Sequence, residues 1–133
     1  MTDNQRQAII AAARAVRSHA YAPYSGFHVG AAILGASGRV YSGCNVENAS
    51  YPVSLCAERS AIAAAVAGGE KTLLAVAIVS GSAQPCPPCG MCRQALAEFG
   101  PAMQVILLGS EDQCKEMTLQ ELLPEMFGPG FLK

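Results

Sequence analysis

The chain has 133 residues and a formal net charge of −1, and 51% of its residues are hydrophobic and 14% charged. A chain of this length forms one domain, residues 1–133, and buries roughly two-thirds of the surface that it exposes when unfolded. Because Lys and Arg are scattered, the sequence lacks the basic patch typical of nucleic-acid-binding domains. A polynucleotide substrate is therefore disfavoured.

Membrane and export signals are also missing from the sequence. Its longest apolar runs, Ala61–Ala67 and Leu73–Val79, are far shorter than the ~20 residues that span a bilayer. No N-terminal run combines positive charge, an apolar block and a cleavage site. These features predict a cytoplasmic protein. The low charge content also favours association of several copies of the chain, which would cover part of its apolar surface.

The N-terminal third predicts a helix followed by a β-hairpin. The helix runs from about Asn4 to His19 and is capped by Thr2 or Asp3. Strands at Phe27–Leu34 and Arg39–Asn45 flank a short turn that contains glycine, so they form an antiparallel hairpin.

The rest of the chain alternates helices and apolar strands. The predicted order is a loop at Val46–Leu55, a helix from Cys56 to Gly68, a strand at Leu73–Ser80, a loop at Ser82–Pro88, a helix from Cys89 to Phe99, a strand at Gln104–Gly109 and a short helix starting in a capping box at Thr118–Glu121. This alternation predicts right-handed βαβ units and a parallel core sheet, which the hairpin makes mixed.

Six cysteines in a chain without an export signal indicate metal binding or catalysis rather than disulfides. We interpret Cys44, in a strand, and Cys114, in a polar loop, as small buried side chains. The other thiols lie in two short runs, each at a predicted helix start, where the helix dipole stabilises thiolates. Cys56 together with Cys89 and Cys92 closes three corners of a tetrahedral zinc site and leaves the fourth open for water, as in catalytic zinc sites.

Charged residues beside these cysteines suit such a site. Glu58 lies two residues after Cys56, where a carboxylate can move protons on and off the bound water. Arg59 and Arg93 each follow a cysteine run closely, and either can hydrogen-bond the sulfurs and temper the net charge of three thiolates on Zn²⁺.

Three other interpretations of the cysteines stay open at this point. Cys86 as a fourth ligand makes the zinc structural and the protein a binding module. Cys89 and Cys92 alone fit a thiol redox pair, although this leaves Cys56 and Glu58 without a role. An iron–sulfur run lacks the cysteine that the ferredoxin pattern needs, because Leu96 and Ala97 follow instead.

The motifs together resemble the small zinc-dependent cytidine deaminases of pyrimidine salvage. A metal ligand, any residue and Glu, followed later by Pro-Cys-x-x-Cys, is the zinc deaminase signature, here with Cys56 in place of the usual His. The resemblance covers nearly the whole chain and extends to these segments: Tyr24–Ala32, Gly43–Asn48, Cys56–Arg59, Pro88–Gln94 and Glu121–Gly128. It implies a three-layer α-β-α fold with a mixed five-stranded sheet, made of an N-terminal helix, the antiparallel hairpin and a βαβαβ segment.

The same resemblance implies the reaction and the site. Cytidine or deoxycytidine is hydrolysed to uridine or deoxyuridine and ammonia, with zinc-bound hydroxide attacking C4 and Glu58 as the proton shuttle. One zinc per subunit is held by Cys56, Cys89 and Cys92. The implied substrate contacts are Phe27 on the base, Ala57 on the amine through its carbonyl, Asn45 and Glu47 on the ribose, and Ala49, Tyr51 and Phe127 reaching a neighbouring subunit's site in a homotetramer. The alternative is a related deaminase acting on a nucleoside antibiotic, a free base or a nucleotide, and the preference between cytidine and deoxycytidine stays open.

Overall fold

Nine regular elements make up the fold in the computed structural model, which describes residues 1–133. In chain order they are α1 (Asp3–Arg17), β1 (Val29–Gly35), β2 (Val40–Cys44), α2 (Ala57–Ala67), β3 (Leu73–Ser80), α3 (Gly90–Phe99), β4 (Gln104–Leu108), β5 (Cys114–Thr118) and α4 (Leu119–Leu122). Short 3-10 helices add Tyr51–Val53 and Pro129–Phe131. None of the helices is both long enough and apolar enough to cross a bilayer.

The five strands form one mixed sheet, as the family resemblance implied, and their order is β2-β1-β3-β4-β5. The hairpin is confirmed, since β1 pairs antiparallel with β2 and also with β3. Only β3 and β4 pair in parallel, so the predicted parallel core is limited to a single strand pair. Strands β2 and β3 run in the same direction with β1 between them, so their carboxyl ends lie at the same end of the sheet.

The fifth strand lies where a polar loop was predicted, and that prediction for Cys114 was wrong. Cys114 opposes Leu108 and Thr118 opposes Gln104 in an antiparallel ladder that forms one edge of the sheet. Cys114 is exposed rather than buried as predicted, like the other side chains at the start of β5. Because an exposed edge strand buries little, its sequence need not show the apolar pattern of a core strand.

Helices cover both faces of the sheet, which confirms the three-layer arrangement. Alternate strand residues point to opposite faces. Ile9 and Ala13 of α1 pack on one face together with Ala32 and Ile106. The other face carries α2, α3 and α4, which pack on these strand residues: Ala31, Ile33, Val76, Ile78, Val105 and Leu107.

Both predicted N-terminal caps are present. Thr2 forms a capping box with Gln5, and Thr118 forms one with Glu121. The first helix ends at Arg17, two residues before the predicted end. Strand β1 begins at Val29 rather than Phe27, which leaves Phe27 in the loop beside the sheet edge where α2 and α3 begin.

Two glycines let helices approach the sheet closely. A Cβ atom on Gly43 would lie 2.4 Å from the backbone nitrogen of Ala61 in α2, and one on Gly30 would lie 2.2 Å from the carbonyl oxygen of Ala13 in α1. Real Cβ atoms do not come this near to a backbone atom, since overpacking forces the backbone to move. Gly43 therefore fixes how closely α2 lies against β2.

Candidate metal centre

Three cysteines meet at the starts of two helices. Cys56 is the N-cap of α2, Cys89 is the N-cap of α3, and Cys92 lies in the first turn of α3. Their three Sγ atoms all lie within 4.8 Å of one another. The two helices follow β2 and β3 along the chain, and these two strands run in the same direction with β1 between them.

The donor set fits a single zinc ion. With Zn–S bonds of about 2.3 Å, two sulfurs of a tetrahedral site are about 3.8 Å apart, which is inside the observed limit. Cys86 is not part of the group of potential ligands. Three soft donors without a fourth match an open zinc site better than a closed structural one.

Local electrostatics favour a thiolate at Cys56. The neighbouring Cys92 thiol, together with the guanidinium group and positive charge of Arg59, lowers the pKa of Cys56 to about 5. The proximity of Cys56, together with burial, raises the pKa of Cys92.

The two arginines behave differently. The Arg59 guanidinium lies beside the sulfurs of Cys56 and Cys92 and donates from Nη2 to the Ser54 carbonyl at 3.1 Å. Arg93 instead donates to the carbonyls of Pro88 at 2.8 Å and Leu122 at 2.7 Å. A hydrogen bond from Arg59 to the sulfurs stays a prediction, since its Nε has no hydrogen-bond partner, whereas Arg93 ties the α3 entry to the end of α4.

Glu58 lies in the first turn of α2, and only 6% of its surface is exposed. Burial raises the pKa of its carboxyl group, and the negative charge of Cys56 raises it further. A raised pKa brings a carboxyl group closer to neutral pH, where it both accepts and returns protons efficiently. Glu58 is therefore suited to acid–base chemistry beside the cysteine cluster.

A cavity of about 250 Å³ opens onto the cysteine cluster. Its wall includes four of the residues predicted to bind or transform a substrate: Phe27, Asn45, Ala57 and Glu58. Cys56 and Cys89 form part of its wall, and Ile78 and Pro88 add apolar surface. The cavity thus places an acid–base group, the metal ligands and an aromatic wall around one space.

A second cavity of about 320 Å³ contains two more of the predicted residues, Glu47 and Tyr51. Glu47 accepts hydrogen bonds from the Tyr24 and Ser25 backbone, while Asn45 bonds the Phe27 and Val29 backbone. Asn45, in the first cavity, and Glu47, in the second, therefore both bond to the segment 24–29.

Two predicted residues lie outside both cavities. Ala49 is exposed. Phe127 is 54% exposed and stacks on Phe131, with ring centroids 5.7 Å apart. The structure of one chain does not bring these two residues to the cysteine cluster.

Sequence reasoning missed some residues that surround the site. Ser80, 1% exposed, and Cys86 both line the first cavity, and Ser25 lies in the second. Ser80 is the polar end of an apolar strand at the edge where sites of α/β proteins occur, a signal that the sequence did carry. Cys86 is close in sequence to Pro88 and Cys89, and it lines the cavity without belonging to the metal cluster.

Comparison with known proteins gives a consistent result. A family model described as the cytidine and deoxycytidylate deaminase zinc-binding region matches residues 3–108, which include the three cysteines and Glu58. A cytidine deaminase from Halalkalibacterium halodurans is 46% identical over 123 residues, covering 92% of this chain and 93% of that protein. One from Mycobacterium tuberculosis is 46% identical over 109 residues, covering 82% and 79%. A crystal structure of cytidine deaminase from Burkholderia pseudomallei matches with a TM-score of 0.88 and 44% identity, covering 96% of this chain and 100% of that one.

Proposed function

The chain belongs to the cytidine and deoxycytidylate deaminase family of zinc-binding hydrolytic enzymes, and from that premise we propose that it deaminates cytidine and deoxycytidine in pyrimidine nucleoside salvage. Each turnover consumes one water and releases one ammonia, leaving uridine or deoxyuridine. The observation that carries the proposal is the buried Glu58 carboxyl group in one cavity with Cys56 and Cys89, whose sulfurs cluster with that of Cys92.

The proposed mechanism assigns the proton transfers to Glu58. When bound by Cys56, Cys89 and Cys92, zinc supplies a Lewis acid that lowers the pKa of water at its open position. Glu58 takes a proton from the attacking water and delivers it to N3 of the base, which opens C4 to attack. It then takes the remaining proton from the hydroxyl added at C4 and delivers it to the 4-amino group, which leaves as ammonia while the C4 carbonyl forms.

The remaining contacts orient the nucleoside. Phe27 supplies an aromatic wall for the base, and the Ala57 carbonyl accepts from the amino group. Asn45 and Glu47 receive the ribose hydroxyls. Ser25 and Tyr24 hold the pKa of the Glu47 carboxyl group below its usual range through hydrogen bonds, the Ser25 hydroxyl first. An ionised carboxylate accepts hydrogen bonds from hydroxyls and repels a phosphate, which favours nucleosides over nucleotides.

An ultraviolet assay with four substrates in parallel tests the proposal: cytidine, deoxycytidine, cytosine and CMP. We expect turnover of cytidine and deoxycytidine, and for CMP a kcat/KM lower by about 100-fold, because like charges brought together cost several kcal/mol. Cytosine lacks the ribose and is expected to be a poor substrate. Preference for cytosine or CMP would contradict the proposed specificity, and no turnover of any of the four would contradict deamination itself.

We also propose that the enzyme is a homotetramer whose sites are completed by Ala49, Tyr51 and Phe127 of neighbouring subunits. Exposed aromatic and aliphatic side chains support association of copies: Tyr51, Val53, Phe127, Phe131 and Leu132. The chain mass is 13.8 kDa, so light scattering is expected to give roughly four times this mass. A monomer mass at the protein concentration of a working assay would contradict the shared site.

A cytoplasmic location is the last part of the proposal. All six cysteines are free, and a thiolate zinc site persists best where thiols are kept reduced.

A further inference from the structure

One serine hydroxyl connects the two cavities. The Oγ atom of Ser25 donates to Oε2 of Glu47 and accepts from the backbone N–H of Phe27 at 3.0 Å. The other Glu47 oxygen, Oε1, accepts from the backbone N–H groups of Tyr24 at 2.9 Å and Ser25 at 3.1 Å. Three donors from two consecutive residues therefore fix the Glu47 carboxylate.

Phe27 is held on both sides of its backbone. Its N–H bonds Ser25, and its carbonyl accepts from Nδ2 of Asn45 at 2.8 Å. Asn45 also accepts from the Val29 N–H through Oδ1, at 2.8 Å. Phe27 is 42% exposed, so these backbone bonds help to set its position.

A left-handed residue makes this arrangement possible. Gly26 has φ +70°, with no atom within 4 Å of where its Cβ would be. A positive φ at this position turns the chain so that the Phe27 N–H points back to the Ser25 hydroxyl, an i to i+2 side-chain turn. The turn at residues 25–27 is thus held by the Ser25 hydroxyl.

The Glu47 carboxylate keeps some capacity for a ligand. Two carboxylate oxygens offer about four acceptor sites, and the loop occupies three of them. The remaining site is available to a hydroxyl donor, at a position that the Ser25 bond determines.

We propose that Ser25 is a positioning residue that holds the Glu47 carboxylate and the Phe27 backbone in a fixed relation, so that one nucleoside meets both. The inference rests on the proposed function, because it assigns Glu47 to the ribose and Phe27 to the base. Ser25 does not touch the reacting atoms; it acts through these two residues. Its loss should weaken nucleoside binding and leave the chemical step in place.

Two substitutions at this position separate the hydroxyl from the rest of the side chain. Ser25→Ala removes the hydroxyl, whereas Ser25→Thr keeps it. We expect KM for cytidine and the Kd of uridine, measured by titration calorimetry, to rise about ten-fold in Ser25→Ala, because a lost bond to a charged group is worth that much or more. The kcat is expected to stay within about three-fold, and Ser25→Thr to stay within about three-fold of wild type in all three constants.

Matched controls keep a structural effect apart from a positioning effect. Ser42→Ala removes an exposed hydroxyl on β2 and is expected to change nothing. Zinc content and melting temperature are measured for every variant, and a KM change that follows a loss of either would overturn the inference. A double variant with Glu47→Ala is expected to cost less than the product of the two single effects, since neighbours in one network are not additive.

The outcomes distinguish this inference from the function beneath it. If the wild-type enzyme deaminates cytidine and Ser25→Ala has the wild-type KM and Kd, only the proposed role of Ser25 is overturned. Equal losses in Ser25→Ala and Ser25→Thr would do the same, since they would show that the hydroxyl is not responsible. A wild-type enzyme without activity on cytidine would overturn both.

Discussion

Replacing Glu58 by glutamine is expected to lower kcat by about 10²- to 10⁴-fold while one zinc per chain is retained. The amide has the size of the carboxyl group and can occupy the same site, but it cannot carry protons between water, N3 and the leaving amine. Loss of a positioned acid–base group has effects of this size. Because the substitution leaves the cysteines and the cavity wall in place, KM should change by only a few-fold.

The free energy of unfolding of Glu58→Gln is expected to equal or exceed that of wild type, in contrast to its kcat. Burial raises the pKa of the Glu58 carboxyl group in the folded chain. A carboxyl group whose folded pKa is raised destabilises the folded state at pH values where it ionises, because the unfolded chain loses its proton more easily. Glutamine carries no charge, so the free energy of unfolding of Glu58→Gln at neutral pH should equal or exceed that of wild type.

Single-turnover and steady-state rates with cytidine, zinc content by elemental analysis and urea unfolding together measure this variant. Glu111→Gln is the matched control, since Glu111 is exposed in the turn after β4 and lines neither cavity. Near-native kcat in Glu58→Gln would rule out the proton-transfer role. A parallel loss of zinc would show instead that Glu58 supports the metal.

The fold was predictable from sequence wherever burial leaves a pattern. The apolar runs of β3 and β4 and the capping residue Thr2 each report a local physical requirement, and the structure confirms them. Strand β5 was missed because it forms an exposed edge, where its ladder with β4 stabilises residues that show no apolar pattern. The short parallel region was overestimated because strand direction depends on which strands become neighbours, not on the strands themselves.

Some features of the site were likewise predictable from the sequence, and others were not. The spacing of Cys89 and Cys92 and the helix starts at Cys56 and Cys89 were sufficient to predict a three-thiolate cluster, which the Sγ distances support. The different contacts of Arg59 and Arg93 could not be predicted, because each residue follows its cysteine run at a similar distance in sequence. Contacts such as that of Ser25 with Glu47 join residues 22 positions apart, and only the folded loop brings them together.

Replacing Cys92 by alanine is expected to lower zinc content from one per chain to nearly zero after dialysis and to abolish deaminase activity. Cys92 is fully buried in the first turn of α3 and within 4.8 Å of both other sulfurs. Two remaining thiolates cannot close three corners of a tetrahedral site. Because zinc binds the folded chain, its loss should also lower the free energy of unfolding by about 3–4 kcal/mol at zinc concentrations 100- to 1,000-fold above Kd.

Two other cysteines serve as controls, and they decide between an open and a closed site. Cys114→Ala changes an exposed thiol on β5 and is expected to keep zinc, activity and stability. Cys86→Ala changes a thiol of the cavity wall that is outside the ligand group, so zinc should remain at one per chain. Zinc loss in Cys86→Ala would favour a four-cysteine structural site, whereas full zinc retention in Cys92→Ala would refute the proposed ligand set. With Cys86 excluded, the fourth corner stays free, and a free corner beside Glu58 is what hydrolysis requires of this cluster.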